Sequence, residues 1–418
     1  MDRQVVNNAF HLGFSRLFDT LVFFFILITL GRSRGIDDVA IYSVVFSFVG
    51  LFLVIGGIDR GIILVEIRWL SKNRSRRNAS YCYWNYLIFR ILVSFFMYFL
   101  LVLAANLFGL EHFTRTIIYL YGSLFFIEAF TMAPQLVFES YQKMFYSSPG
   151  VIVKSTIVLI FGIYTLLQDY SLIYLFFTII AAEIMQAVLT NTILIKRFFR
   201  PKMTKINFSL WKEWISQGFS VYAQLTSDYA KFHFSVLILS LTLGNYFVAI
   251  YSVADRIKMA IVNIYRCFLG AVFPHYCSYK LSGKYLQRNF LGYVGLTLVL
   301  GAGVSAFLLL FSNKLIISLF GVEFKQSVIL LRFLSVELVF LLINRNIMTF
   351  MNSVGKEAAA AKIQVGMLAF GILLLISLLP YLGVVAVVMA SLVASIIQSL
   401  VLFVYLKNVG KQRCCQVK

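Results

Sequence analysis

Asp228, Lys231, Asp255, Arg256 and Lys258 fall near the middle of two long apolar runs, residues 217–241 and 246–270, far from either end. In hydrocarbon each such charge costs about 2.5–3.5 kcal/mol on insertion scales unless it is solvated or paired. Gln217, Gln224, Asp228, Lys231 and Ser235 recur at helical spacings and share one face of the first run. On the second run Asp255 and Lys258 share a face, and Arg256 points about 100° away. Two kinds of chemistry suit such a set. Cations at this depth receive an anionic group, which makes Lys231, Lys258 and Arg256 candidate substrate-binding residues. A carboxylate beside them can couple to an ion, because burial and a neighbouring Lys pull its proton affinity in opposite directions, which makes Asp228 and Asp255 the ion-coupling candidates. Three positive charges against two negative leave an excess of one. The alternative is a buried Asp and Lys network that ties helices together.

Other charges inside apolar runs lie nearer their ends. Arg16, Arg90, Lys154, Arg266, Arg345 and Lys362 stand within about two turns of one side, where long side chains snorkel to water. Arg16, Arg90 and Arg345 would extend a cationic path from that side. Polar stripes at Glu128, Thr131, Gln135 and Glu139, and at Glu183, Gln186 and Thr190, serve interhelical hydrogen bonding as readily as function. The same holds for Asp19 with Arg16 and for Glu337 with Asn344. His233 lies nearly opposite Lys231 on the helical wheel and reads as a packed histidine.

The elements that carry these residues follow from composition. Of 418 residues 61% are hydrophobic and 13% charged, against about 25% charged in an ordinary soluble domain. Apolar runs of the roughly 20 residues that cross a bilayer recur near 10–30, 39–62, 83–105, 116–137, 150–167 and 172–194. A second set follows near 217–241, 246–270, 289–311, 327–350, 362–379 and 384–405. The expected fold is all-α, a polytopic membrane protein with about twelve transmembrane helices. The first run has no small-residue cleavage site after it and reads as a retained helix rather than a signal peptide.

Lys and Arg set the orientation. About 21 of them, including Arg68 to Arg77, Lys196 to Lys212 and Lys280 to Arg288, lie between spans on one side, against about five (Arg32, Arg34, Arg115, Lys314, Lys325) on the other. The richer side is cytoplasmic, so both termini are expected there, and anionic headgroups rather than nucleic acid account for the formal charge of +20. The outward loops are short and leave no room for a catalytic domain. With no CxxC pair, no HExxH and no Walker-type loop in the sequence, neither an enzyme, a metal site nor a cofactor is expected.

The two sets of six runs resemble each other. Gly13-Phe14-Ser15 matches Gly218-Phe219-Ser220, Leu30-Gly31 matches Leu243-Gly244, and Ala40-Ile41-Tyr42-Ser43-Val44 matches Ala249-Ile250-Tyr251-Ser252-Val253. Ala182-Glu183-Ile184-Met185-Gln186 stands opposite Ala394-Ser395-Ile396-Ile397-Gln398, all at offsets close to 210. Six helices per repeat predict two parallel lobes, residues 1–205 and 206–418, around a central cavity that opens alternately to each side. The basic stretch from Lys196 to Trp214 reads as the linker.

Leu30-Gly31 to Tyr42-Ser43, Phe138-Glu139-Ser140-Tyr141-Gln142-Lys143-Met144 and Leu319-Phe320-Gly321-Val322-Glu323-Phe324, running to Leu330-Leu331-Arg332, carry a resemblance over nearly the whole chain. It is to the polysaccharide-transporter branch of the multidrug, oligosaccharidyl-lipid and polysaccharide exporter superfamily, and most of all to the O-antigen flippases (Wzx). The resemblance implies transfer of an undecaprenyl-pyrophosphate-linked oligosaccharide from the cytoplasmic to the periplasmic leaflet of a bacterial inner membrane. It also implies membrane lipids and other polysaccharide-assembly membrane proteins as partners. The cationic patch would then receive the pyrophosphate or acidic sugars. A drug or cation antiporter of the same superfamily would want an acidic cavity, and a polysaccharide polymerase would want a large outward loop.

Overall fold

A chain this apolar has one way to satisfy its backbone in lipid without a closed barrel, which is to bond it within helices. The computed structural model describes the backbone of residues 3–57, 59–278 and 283–416, and among these there is no strand. The helices are α1 (Arg3–Gly56), α2 (Asp59–Lys72), α3 (Arg76–Leu107), α4 (His112–Gly122), α5 (Leu124–Ser140), α6 (Ser148–Leu167) and α7 (Leu172–Ile193). They continue with α8 (Phe208–Thr242), α9 (Asn245–Ser278), α10 (Gly283–Phe320), α11 (Ser327–Ser353), α12 (Glu357–Leu382) and α13 (Val385–Gln416).

Two differences from the sequence reading have local causes. The first two expected spans form one helical run, broken only at Gly35, whose φ of 77° and ψ of −162° end one helix and start the next. Such a conformation is open to glycine and nearly closed to residues with a Cβ. The span expected near 116–137 is divided into α4 and α5, which meet at Ser123. Among the described residues nine helical stretches are long and apolar enough to cross a membrane. The 34-residue α9 carries Asp255, Arg256 and Lys258 in its first half.

Contacts divide the chain into two compact units, Met1–Tyr229 and Ala230–Lys418. Within the first, α1 packs on α6, α6 on α7, and α3 on α5. Gly162 lets α1 and α6 come close, since a Cβ there would stand 2.8 Å from the Ile26 side chain. Within the second, α11 is central and packs on α9, α10 and α13. Large apolar side chains such as Phe95, Phe99, Leu310 and Leu373 stay exposed, as lipid-facing positions must.

Candidate functional site

The second unit is organised around one carboxylate. Glu337 on α11 is fully buried. Lys231 Nζ on α8 reaches its Oε1 at 2.9 Å, and Lys258 Nζ on α9 reaches its Oε2 at 3.2 Å. Ser395 Oγ on α13 donates to Oε1 at 3.1 Å, and the Ser391 hydroxyl, one turn earlier on the same face, donates to that oxygen too. Lys258 also pairs with Asp255 Oδ1 at 2.7 Å, an i,i+3 contact along α9. Asn344 secures the neighbouring turn, donating to Ser395 O at 2.9 Å and accepting from Ser399 Oγ at 2.7 Å.

This arrangement changes the charge count. Lys231 and Lys258 are matched by Asp255 and Glu337, so these four charges sum to zero. The sequence ranks Glu337 with ordinary interhelical hydrogen-bonding residues, and the structure makes it the shared acceptor of both lysines. The two lysines also differ in access: the Lys258 side chain is 7% exposed and Lys231 is 32% exposed. An ammonium has three donors, and Glu337 takes one of Lys231's, leaving the more open lysine able to offer the others to an anion. Asp255 Oδ2 is buried with no hydrogen-bond partner among the described residues. Arg256 points elsewhere, its guanidinium 5.3 Å from the centroid of the Phe232 ring, a cation–π distance. The side chain of Asp228 lies outside the described residues.

The first unit holds two smaller clusters. Lys154 on α6 bridges Asp19 of α1 at 3.0 Å and Glu183 of α7 at 3.2 Å, and Ser155 Oγ donates to Asp19 at 2.7 Å. Arg90 on α3 is buried, donating to Glu128 Oε2 at 2.8 Å and to the Gly56 carbonyl at 2.8 Å. That carbonyl belongs to the last turn of α1, where no intrahelical donor is available. Lys154 and Arg90 therefore do not snorkel. The signal that could have revealed this is the set of deep carboxylates on neighbouring runs, Asp19, Glu128 and Glu183, each of which needs a cation.

Arg16 is exposed on α1. Arg345 is half-buried on α11, about two turns beyond Glu337, and outside that residue's set of partners. Both belong to helices that carry cluster residues, but neither joins the clusters. His233 is buried, beside the Phe232 ring.

The family described as polysaccharide biosynthesis protein matches residues 5–280 of the chain. No curated protein matches it. Among solved structures the fold is similar to an inward-facing multidrug resistance MATE family transporter of the MOP superfamily, with TM-score 0.78 at 15% identity over 94% of each chain. It is similar to MATE in complex with MaD3S, with TM-score 0.71 at 15% identity over 98% of this chain and 95% of that one. A MOP superfamily transporter from Pyrococcus furiosus, described as having a binding pocket of reverse polarity that suggests a different function, gives TM-score 0.68 at 14% identity over 97% and 95%. At these identities the likeness is one of fold: an all-helical, multi-pass transporter fold.

Proposed function

We propose, since the chain belongs to the polysaccharide biosynthesis protein family, that it is a flippase carrying undecaprenyl-pyrophosphate-linked O-antigen repeat units from the cytoplasmic to the periplasmic leaflet. The family match is the observation that carries this reading, and the transporter fold agrees with it. The chain crosses the inner membrane about twelve times, its two repeats of six helices work by alternating access, and its basic segments, with both termini, face the cytoplasm. The substrate's pyrophosphate and acidic sugars need cations at depth, and Lys231 is the first candidate because it is the more open of the two lysines on Glu337. Lys258, Arg256, Arg16, Arg90 and Arg345 support the path by field or by holding helices. Asp255, with one carboxylate oxygen unpartnered among the described residues, is the preferred ion-coupling group, and Asp228 is the other candidate for that role. Collapsing the proton and sodium gradients in vesicles is expected to slow flipping; unchanged flipping would remove the coupling.

Deletion followed by analysis of lipid-linked sugars tests the function. Completed repeat units held in the cytoplasmic leaflet are the expected result, whereas single units exposed outside indicate a polymerase. The likeness to multidrug MATE transporters favours a second reading, a drug or cation antiporter. It predicts normal sugar export on deletion and greater sensitivity to cationic drugs.

A further inference from the structure

The first unit carries an apolar groove on its flank that none of the clusters above explains. It has a volume of about 350 Å³ and is lined by Ile55, Phe89, Leu92, Phe96, Met97 and Trp211, among others. Ile55, Leu92 and Phe96 are exposed, so the groove opens sideways. Its wall at the end of α1 is finished from within: Tyr222 Oη donates to the Ile55 carbonyl at 2.6 Å, and Arg90 takes that of Gly56. Lining of this kind is almost wholly apolar and suits a hydrocarbon chain.

Trp211 joins the groove to a polar strap. Its ring meets Phe89 at 5.4 Å and Phe208 at 4.8 Å between centroids. Phe208 follows the segment 199–207, which three hydrogen bonds pin along the start of α3. Lys202 N donates to Ser80 Oγ at 3.3 Å, Asn85 Nδ2 donates to the Lys205 carbonyl at 3.3 Å, and Asn207 N donates to Asn85 Oδ1 at 2.9 Å. Arg200, Lys202 and Lys205 are exposed along this strap, and Lys212 is exposed in the first turns of α8 that follow it. The Trp211 residue is 8% exposed, and its indole N–H has no acceptor among the described residues. The Thr204 hydroxyl, between two of the lysines, is likewise buried without a partner. Buried donors of this kind normally find an acceptor, and the cations exposed on the same stretch of chain suit an anionic group.

We propose that this groove and strap form the docking site for the lipid end of the substrate, with the first isoprene units in the groove and the pyrophosphate at the strap. The proposal rests on the flippase reading and says where the lipid is held. A cavity of this size is at the lower end of small-ligand pockets, about 300–1,000 Å³, so it seats only the stretch of chain nearest the phosphate. Apolar contact alone cannot select a ligand within a bilayer, because lipid tails are as apolar as the groove. Affinity comes from the strap's charges and donors. Selectivity comes from the ring faces of Phe89, Phe96 and Trp211, which fit planar, methyl-branched isoprene units better than a saturated acyl chain.

The test uses the full-length protein in vesicles of phosphatidylcholine and a diazirine-bearing polyprenyl pyrophosphate as probe. Labelling is expected within residues 89–97 or at Trp211, displaced by unlabelled polyprenyl pyrophosphate and far less by phosphatidylglycerol or polyprenol. The combined change of Lys202, Lys205 and Lys212 to Gln is expected to lower labelling by about tenfold or more. Trp211→Phe, which removes the N–H and keeps an aromatic ring, is expected to lower it by roughly fivefold. Leu92→Trp fills the groove from an exposed position and is expected to abolish labelling there while the amount of protein in the membrane holds. Equal displacement by phosphatidylglycerol, or labelling that resists all three variants, overturns the proposal and leaves a general lipid seam. Labelling elsewhere in the chain with intact flipping overturns this site and leaves the flippase standing. A wild-type protein that neither labels nor flips removes both.

Discussion

Glu128 in the first unit and Glu337 in the second stand close to 210 positions apart, the offset at which the sequence repeats, yet they draw their cations from different helices. Glu128 takes a single guanidinium from α3, and the same guanidinium serves the end of α1. Glu337 takes two ammonium groups, from α8 and α9, and two hydroxyls from α13. Arg can do the first because its planar fork presents five donors in fixed directions. Lys is a point charge on a flexible stem, so two are used, and both hydroxyls join Lys231 on one oxygen of the carboxylate. Glu183 and Ser395 show the same divergence: they match in the repeat, but Glu183 binds Lys154 of α6 and Ser395 donates to Glu337. Polar groups at matching positions of the sequence repeat thus take different partners in each unit.

The largest expected effect tests that contrast directly. Glu337→Ala removes the acceptor shared by two lysines and two hydroxyls, of which Lys258 keeps Asp255, and is expected to cost about 3–5 kcal/mol, read as loss of protein from the membrane or a lower unfolding midpoint in detergent. Lys154→Met strands Asp19 and Glu183, and because both are partly exposed the loss should be smaller, about 2–3 kcal/mol. Removing Asp19 and Glu183 as well, by change to Leu, should recover most of it. Glu128→Ala is expected to cost about 1–3 kcal/mol, since Arg90 keeps the Gly56 carbonyl. Equal losses for Glu128→Ala and Glu337→Ala would erase the difference between the units.

Within the second unit the two lysines should separate. Lys258→Ala is expected to reduce the amount of folded protein, whereas Lys231→Ala should cost only about 1 kcal/mol and abolish flipping, with Lys231→Arg keeping part of it. Normal flipping by Lys231→Ala would make the whole cluster structural. The smallest effect is that of Ser395→Ala, which removes one of four donors to Glu337 and should lower stability by about 0.5–1.5 kcal/mol, visible in the unfolding midpoint alone.

The helical character and the positions of most elements were legible because hydropathy and helix period act locally along the chain. Asp255 and Lys258 share a face in the structure as their spacing requires, and Arg256 turns away as it should. Partner choice was not legible, because it depends on which helices touch. Glu337 lies 79 positions from Lys258 and 106 from Lys231, and nothing local distinguishes it from Glu139, whose partner is Gln135 one turn away. Lys154 and Arg90 were misread for a related reason. Distance from the end of a run measures how far a side chain must reach for water, but a carboxylate on the next helix is nearer still.

The break at Gly35 has a consequence for how the chain enters a membrane. The part of α1 apolar enough to cross a membrane, Gly13 to Gly56, holds 44 residues, about 66 Å of helix at 1.5 Å per residue, or twice the thickness of a hydrocarbon core. One residue, Gly35, breaks this run with no intervening loop. The two spans expected from the sequence are thus joined by a single residue, and their halves cannot be placed far apart. Arg34 then fastens the turn, reaching the Asp169 carboxylate at 3.3 Å and the Tyr170 carbonyl in the connection between α6 and α7. The first turn made is thereby latched to a connection synthesised more than a hundred residues later, a clasp that closes only once the sixth and seventh helices have arrived.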